Sequence, residues 1–255
     1  MLADDFNHRI LDEVAHRPWP MPEAPWIMTQ TWHDLLFAHW PVDAAALASK
    51  IPSGLELDMF EGQAWIGIVP FHITNLALRM TPALPWLSAF PELNVRTYVK
   101  YHGEKPGVFF FSLDAGNPVA VQVARTMFRL PYYLAKMEVD ADNGSIRYRS
   151  CRTHTDAVPA EFAASYRPTG AVFNARAGTL DYFLTERYCL YTVDSNFYAY
   201  RLEIHHPLWP LQPAQLTIDV NTMADAAGIR LPSQEPLLHF SKRQDMVGFP
   251  LTRLD

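Results

Sequence analysis

The sequence predicts a mainly β fold of the α+β class, and three observations lead to this prediction. Segments rich in β-branched and aromatic residues outnumber segments with helical periodicity. The predicted strands are separated by short turns typical of hairpins, whereas βαβ units would need long helices between them. The chain also holds 21 prolines in 255 residues, which exceeds the average share of about 5% and suits strands joined by many stiff connections.

The chain is predicted to consist of an N-terminal arm, residues 1–28, and one β-rich domain, residues 29–255. Four prolines between positions 18 and 25 follow a short amphipathic piece and favour an arm over a core element. Mainly-β barrels often reach this length as a single unit. Apolar residues make up 49% of the chain, enough to bury a sizeable core.

The first half of the domain is predicted to contain two helices. The first covers residues 41–50, where proline stands at the first turn and alanines fill the interior. The second covers residues 117–128, with Asn117 as N-cap and apolar residues at positions 119, 123 and 127. β-branched and aromatic residues predict strands over residues 62–73, 94–102 and 107–114.

The second half is predicted to contain two hairpins. Asp142-Asn-Gly144 is a strong turn signal between strands at 136–139 and 145–151. Asp194-Ser-Asn196 separates strands at 187–193 and 197–205. Short helical turns are predicted over residues 179–185 and 221–227.

Charge and motif content exclude several classes of function. A net charge of -6 without a basic block makes nucleic acid and anionic membranes unexpected partners. Acidic residues, Asp4 and Asp5 among them, occupy the start where a secretory signal needs basic ones, so we expect a cytoplasmic protein. Cys151 and Cys189 lack a CxxC spacing, and the histidines show no zinc motif. No metal and no cofactor are predicted.

One predicted strand carries polar side chains at alternate positions: Glu92, Asn94, Arg96 and Tyr98 share one parity. Two interpretations remain open at this point. The row could be the solvent face of an ordinary sheet, or it could line a ligand cavity inside a barrel. Glu, Asn, Arg and Tyr together suit a lined pocket better than a solvent face built mainly of Lys and Glu. Since arginine can hold a carboxylate with two parallel hydrogen bonds, Arg96 and Arg125 are candidate anchors for an acidic ligand.

Four segments carry a resemblance to the YqjF-like family of uncharacterised proteins. They are WHDLLFAHW (32–40), PELNVRTY (91–98), VFFFSLDA (108–115) and TERYCLY (185–191). More distantly, the run from Glu92 through LPYYLAKMEV resembles acetoacetate decarboxylase and its relatives. That resemblance implies a large, cone-like antiparallel β-barrel with a few peripheral helices and an apolar cavity.

The decarboxylase resemblance also implies a chemistry, which this sequence departs from. A lysine of that family forms a Schiff base with a β-keto acid, and a neighbouring lysine lowers its pKa. The family's Pro-Lys-Lys turn falls on Pro131, Tyr132 and Tyr133, and its upstream glutamate falls on Glu92. Because a phenol has no amine, neither tyrosine can form the imine. Lys100, which shares the polar face, is the one candidate stand-in, and Lys136 is interpreted as structural.

Two functions from different classes follow. The first is an enzyme that acts by acid–base chemistry on a small keto or hydroxy acid, with Tyr132 as proton donor, Glu92 as base and Arg96 or Arg125 as anchor. The second is a non-catalytic barrel that keeps the pocket after losing the nucleophile. In both, the partner is a small, acidic ligand, and a second copy of the chain is a further candidate. The remaining predicted ligand-binding residues are Asn94, Tyr98 and Tyr133.

Overall fold

The computed structural model describes residues 6–81 and 88–255. Over these residues the chain forms twelve strands, four α-helices and one 3-10 helix at His8–Asp12. The strands are β1 (Met28–Val42), β2 (Leu55–Leu57), β3 (Ala64–Leu78), β4 (Phe90–Tyr101), β5 (Glu104–Ala115), β6 (Tyr132–Asp142), β7 (Ser145–Arg152), β8 (Glu161–Pro168), β9 (Cys189–Val193), β10 (Ala199–His205), β11 (Leu211–Asn221) and β12 (Leu237–Arg253). The helices are α1 (Ala44–Ala48), α2 (Pro118–Met127), α3 (Leu180–Thr185) and α4 (Met223–Ala226). Asp4 and Asp5, on which the prediction of location rests, lie outside the described residues.

The strands form one sheet that closes on itself, and the predicted mainly β fold class is confirmed. The order is β10-β9-β5-β6-β7-β8-β11-β12-β1-β3-β4-β2, and the additional pairings β10–β12 and β5–β4 close it. One edge of β5 pairs with β4, while the other edge pairs first with β9 and then with β6. β12 divides in the same way between β10 and β11. Within the described chain, β5–β6 and β5–β9 are parallel pairings, so the barrel is not antiparallel throughout.

The five strands β12, β1, β3, β4 and β5 form a central wall that is covered on both faces. Strands β9 and β10 close one face, and strands β6, β7, β8 and β11 close the other. Side chains of alternate parity therefore enter two different cores: Phe37 packs in the first, and its neighbours Leu36 and Ala38 pack in the second. Burial on both faces explains why β1 is buried over most of its length.

The alternate positions of β4 follow the same rule. Val95 packs against the second core, which includes Tyr148 of β7 and Phe162 of β8. The side chains of opposite parity, at positions 92, 94 and 96, are left facing the first core.

Several local predictions correspond to observed elements. Asn117 caps α2 by accepting hydrogen bonds from the backbone N–H groups of residues 119 and 120. The turn at Asn143-Gly144 has φ values of 49° and 79°, which a type I′ hairpin requires. The predicted face of α2 is wrong, because Val119, Val123 and Met127 are 42%, 36% and 55% exposed. The buried positions of α2 are Ala120 and Val121.

The N-terminal segment packs against the closed sheet along β10 and β12. Ile10 is buried with Val247 and Phe249 in a small core of its own. The indole N–H of Trp19 donates to Glu203 at 2.8 Å. Within the described parts of the chain, every helix is too short or too polar to span a lipid bilayer.

Candidate functional site

An internal cavity of about 410 Å³ lies between the central wall and strands β9 and β10. This volume falls in the range of about 300–1,000 Å³ that small-molecule sites occupy. Most of its lining is apolar, and the largest such side chains are Trp32, Phe71, Phe90, Phe110, Phe128 and Trp209. Three lining residues are exposed and mark an opening beside α2: Leu78, Thr81 and Val123.

The polar row on β4 supplies part of the cavity wall. Glu92, Asn94 and Arg96 line the cavity, because the alternate positions between them belong to the second core. Tyr98, the fourth member of the predicted row, is buried behind the wall and is not part of the lining. Its hydroxyl donates to the carbonyl of Leu184 at 2.7 Å and lies 2.6 Å from Nε2 of His39, so its polar group is satisfied within the protein.

A carboxyl group and a phenol form a buried pair in the wall. The Tyr132 hydroxyl donates to Oε2 of Glu92 at 2.7 Å, and the two residues are 8% and 3% exposed. Burial raises the pKa of Glu92 to about 8, the hydrogen bond from Tyr132 lowers it in part, and the charge of Asp114 raises it. Burial and the charge of Glu92 raise the pKa of Tyr132 well above its usual value. Near neutral pH, Tyr132 is therefore a neutral phenol, whereas Glu92 can gain and lose a proton.

Asp114 lies behind this pair and is neutralised by an arginine. Arg152 Nη2 is 2.6 Å from Asp114 Oδ1, and both side chains are buried. The guanidinium of Arg152 also lies 4.2 Å from the centre of the Tyr133 ring. This ion pair limits the repulsion between Asp114 and Glu92.

Two arginines line the far end of the cavity from Glu92. Arg96 and Arg187 both lie against the Tyr98 ring, at 5.8 and 4.7 Å from its centre. Arg187 Nη1 donates to Asp58 at 2.7 Å, and Asp58 also pairs with Lys100 at 2.8 Å. Among the described residues, Arg96 has no carboxylate within salt-bridge distance. Two cations, Lys100 and Arg187, thus contact Asp58, and Arg96 adds a third positive charge beside Arg187. The positive charges outnumber the carboxylate, so this end of the cavity favours an anion.

Several polar atoms in the lining have no hydrogen-bond partner among the described residues. They are Oδ1 of Asn94, Nε of Arg96, Nη2 of Arg187 and Nε1 of Trp209. A buried polar atom left unpaired costs about 1–3 kcal/mol. Because four such atoms belong to residues that line one cavity, they are candidate contacts for a polar ligand.

All five lysines of the sequence lie within the described residues, and none of them lines this cavity. Lys100 is held by Asp58. Lys136 is 77% exposed on β6, beside Glu138. The two sulfhydryl groups are also elsewhere, with Cys189 buried in a separate small core and Cys151 exposed. The described cavity wall therefore presents no amine or thiol nucleophile.

The two adjacent tyrosines diverge, because successive residues on β6 point to opposite faces. Tyr132 enters the cavity, whereas Tyr133 lines a separate, more open cleft of about 610 Å³ on the other side of the wall. Arg125 lines this second cleft as well, and its Nη1 donates to the carbonyl of Tyr132 at 2.6 Å. Arg125 and Tyr133, which were predicted to bind the ligand, thus line the second cleft and not the cavity that contains Glu92.

Among the described histidines, His206 lines the cavity. Burial lowers the pKa of His206 to about 3, so its imidazole is neutral at physiological pH. In the parts of the chain that the structure describes, no group of three or more His, Cys, Asp or Glu side chains is arranged to hold a metal ion.

Sequence reasoning missed Arg187, His206 and Trp209 as cavity residues. Arg187 lies in the segment TERYCLY, and the other two follow β10 in the segment HHPLWP. Neither segment shows strand alternation that would have indicated a lined face. The accumulation of bulky and polar residues in HHPLWP was the available signal.

The closed sheet has the acetoacetate decarboxylase-like class of fold, which solved structures of that class share. The acetoacetate decarboxylase from Legionella pneumophila has a TM-score of 0.59 at 13% identity, covering 100% of this chain and 98% of that chain. The structure described as "Enduracididine biosynthesis enzyme MppR complexed with pyruvate" has a TM-score of 0.62 at 13% identity and covers 93% of each chain. At these identities the likeness shows the fold.

The chain belongs to the YqjF-like family. The family model DUF2071, described as "Uncharacterized conserved protein", matches residues 29–245. The uncharacterized protein YqjF of Bacillus subtilis (strain 168) is 52% identical over 233 residues, which cover 91% of this chain and 95% of that protein. The predicted family is confirmed.

Proposed function

We propose that this protein binds a keto or hydroxy acid in the internal cavity and, when the ligand is a keto acid, transfers a proton at the carbon next to the ketone. The observation that carries the proposal is that the buried Glu92–Tyr132 pair and the two arginines line the same apolar cavity. One end supplies a proton acceptor, and the other supplies positive charge for the acid.

Glu92 is assigned the role of base. A general base is most effective when its pKa lies near the working pH, and the pKa of about 8 meets this condition. Tyr132 is assigned a positioning role, because its hydroxyl proton already bonds Glu92 and its raised pKa makes it a weak acid. The predicted role of Tyr132 as proton donor stays a prediction.

Arg96 and Arg187 are assigned the role of binding the carboxylate of the ligand. Each has an N–H group without a partner among the described residues, and they are the cavity-lining cations there. Asn94 lies between the base and the arginines, and its unpartnered Oδ1 can accept a hydrogen bond from a ligand hydroxyl. Rotation of the amide would instead let its nitrogen donate to a ketone oxygen.

The fold neighbours support a keto acid as one ligand class. MppR, a protein of the same fold, is described as complexed with pyruvate, which is a keto acid. The imine route of acetoacetate decarboxylase is not proposed here, because the described cavity wall holds no lysine. Proton transfer by a carboxylate requires no amine.

Deuterium exchange tests the proposal. The protein is incubated in D2O with pyruvate, 4-oxopentanoate or 7-oxooctanoate, and ¹H NMR follows loss of the hydrogens beside the ketone. We expect catalysed exchange whose rate rises with pH through about 8 as Glu92 ionises. Glu92→Gln should lower the rate by at least about 100-fold. Glu138→Gln, at a mostly exposed position, is the matched control. Equal exchange by the wild type and Glu92→Gln would refute the role of Glu92.

A second candidate function is binding without catalysis. The observation that favours it is that a tyrosine stands where the decarboxylase resemblance places the reactive lysine, and the described lining offers no other nucleophile. Calorimetric binding of an acid that depends on Arg96, without catalysed exchange at any pH, would select this alternative.

A further inference from the structure

We infer that the ligand is a medium-chain oxo acid, in which an apolar spacer separates the carboxylate from the ketone. This inference rests on the proposed function, because it assumes the carboxylate at the arginines and the reacting carbon at Glu92. It adds the size and polarity of the molecule between those two points.

The spacing along β4 sets the length of the spacer. Glu92 and Arg96 are four residues apart on one strand, and a rise of about 3.3 Å per residue separates their Cα atoms by about 13 Å. The extra residue of the local bulge belongs to β5, so β4 stays extended here. Contacts of about 3 Å at each end leave roughly 7 Å for the ligand. At about 1.5 Å per bond, this distance requires at least about five single bonds.

The orientation of Arg96 does not shorten this distance. Its guanidinium lies 5.1 Å from the centre of the Phe37 ring and 5.8 Å from that of Tyr98, and its Nη2 donates to the carbonyl of Leu184. Tyr98 is two residues beyond Arg96 along the strand, whereas Phe37 is next to Ala38, which pairs through Ile68 with Val95. The guanidinium therefore stays near the level of residue 96. The spacing along β4 sets the distance to Glu92, and a 2-oxo or 3-oxo acid is too short to contact both ends.

The wall between the two ends is suited to an alkyl or aryl spacer. Val69, Phe71, Phe110 and Leu113 line this region on the strands that flank β4. Leu190 and Leu202 line the opposite wall on β9 and β10. Beyond Glu92, the opening beside α2 is rimmed by Leu78 and Val123, so an apolar tail on the far side of the ketone also finds apolar contacts.

A series of acids that share the carboxylate and differ in chain length tests the inference. Isothermal titration calorimetry compares pyruvate, 4-oxopentanoate, 6-oxoheptanoate, 7-oxooctanoate and octanoate. We expect affinity to increase by up to about fourfold per methylene, and 7-oxooctanoate to exchange its hydrogens faster than 4-oxopentanoate. Arg96→Gln should weaken binding of 7-oxooctanoate by about 10- to 100-fold. Arg147→Gln, in an exposed ion pair on β7, should leave it unchanged.

The outcomes separate the two proposals. If pyruvate binds as tightly as 7-oxooctanoate, and Arg96→Gln weakens the binding of both acids equally, the inference of a spacer is wrong. The proposed function would not be affected by that result. No binding and no exchange with any acid would overturn both. Affinity that grows with length but is the same in wild type and Arg96→Gln would show apolar adsorption, and would also overturn the inference.

Discussion

Replacement of Glu92 by glutamine isolates the energetic cost of keeping a carboxyl group in the cavity wall. Glutamine has nearly the same shape and can still accept the hydrogen bond from Tyr132, but it cannot ionise. Any change in stability that depends on pH between the two proteins therefore reports the ionisation of Glu92.

The size of the effect follows from the pKa of Glu92. Burial raises it from 4.5 to about 8 in the folded protein. Because the folded value exceeds the unfolded one, the stabilisation is complete below pH 4.5 and is lost as the pH rises to about 8. Each pH unit in this interval corresponds to about 1.4 kcal/mol. Ionisation of Glu92 therefore withdraws on the order of 5 kcal/mol from the unfolding free energy across the interval.

Thermal unfolding between pH 5 and pH 8.5 measures this loss. We expect Glu92→Gln and the wild type to unfold at similar temperatures at pH 5, and the variant to be the more stable by about 10 °C or more at pH 8.5. Glu138→Gln controls for the loss of a carboxyl group, because Glu138 is mostly exposed. A difference between Glu92→Gln and the wild type that stays constant over this pH range would refute the reasoning.

Two further predictions concern neighbours of the site. In Tyr132→Phe, Glu92 loses the hydrogen bond that lowers its pKa, so the midpoint of the pH–rate profile for deuterium exchange should move above 8, and an unchanged midpoint would contradict this. In Gly107→Ala, the added Cβ would lie 2.7 Å from the carbonyl oxygen of Cys189, so urea unfolding should show a loss of about 1–3 kcal/mol. Gly116→Ala, whose Cβ would meet nothing closer than 3.5 Å, should be neutral, and equal losses in both variants would exclude the steric explanation.

Local patterns predicted those parts of the fold that local chemistry determines. The cap at Asn117 and the turn at Asn143 depend on a few adjacent residues, and both are observed. Strands β1 and β12 were not predicted, because burial on both faces, or contact with the N-terminal segment, removes the alternation that marks a strand. The helical spacing of Val119, Val123 and Met127 predicted a buried face of α2, but these side chains are exposed. The sequence does not show that Val123 instead contributes to the rim of the cavity.

The candidate site was predictable where it follows one strand. Glu92, Asn94 and Arg96 share a face of β4, and the alternation was visible in the sequence. Arg187 is separated from Arg96 by about ninety residues and reaches the same place only because β9 pairs with β5. No local pattern contains that information.

Tyr132 and Tyr133 face opposite sides of the wall and act on two different carboxyl groups. A lysine ammonium beside Glu92 would favour the carboxylate and lower its pKa. Tyr132 is neutral, so it offers Glu92 one hydrogen bond and no charge, and burial then dominates. Tyr133, on the opposite face, lies against Arg152, which pairs with Asp114 and opposes the rise that burial causes in the pKa of that second carboxyl group. A lysine at position 132 would thus lower the pKa of Glu92, whereas the neutral phenol of Tyr132 leaves Glu92 the stronger base.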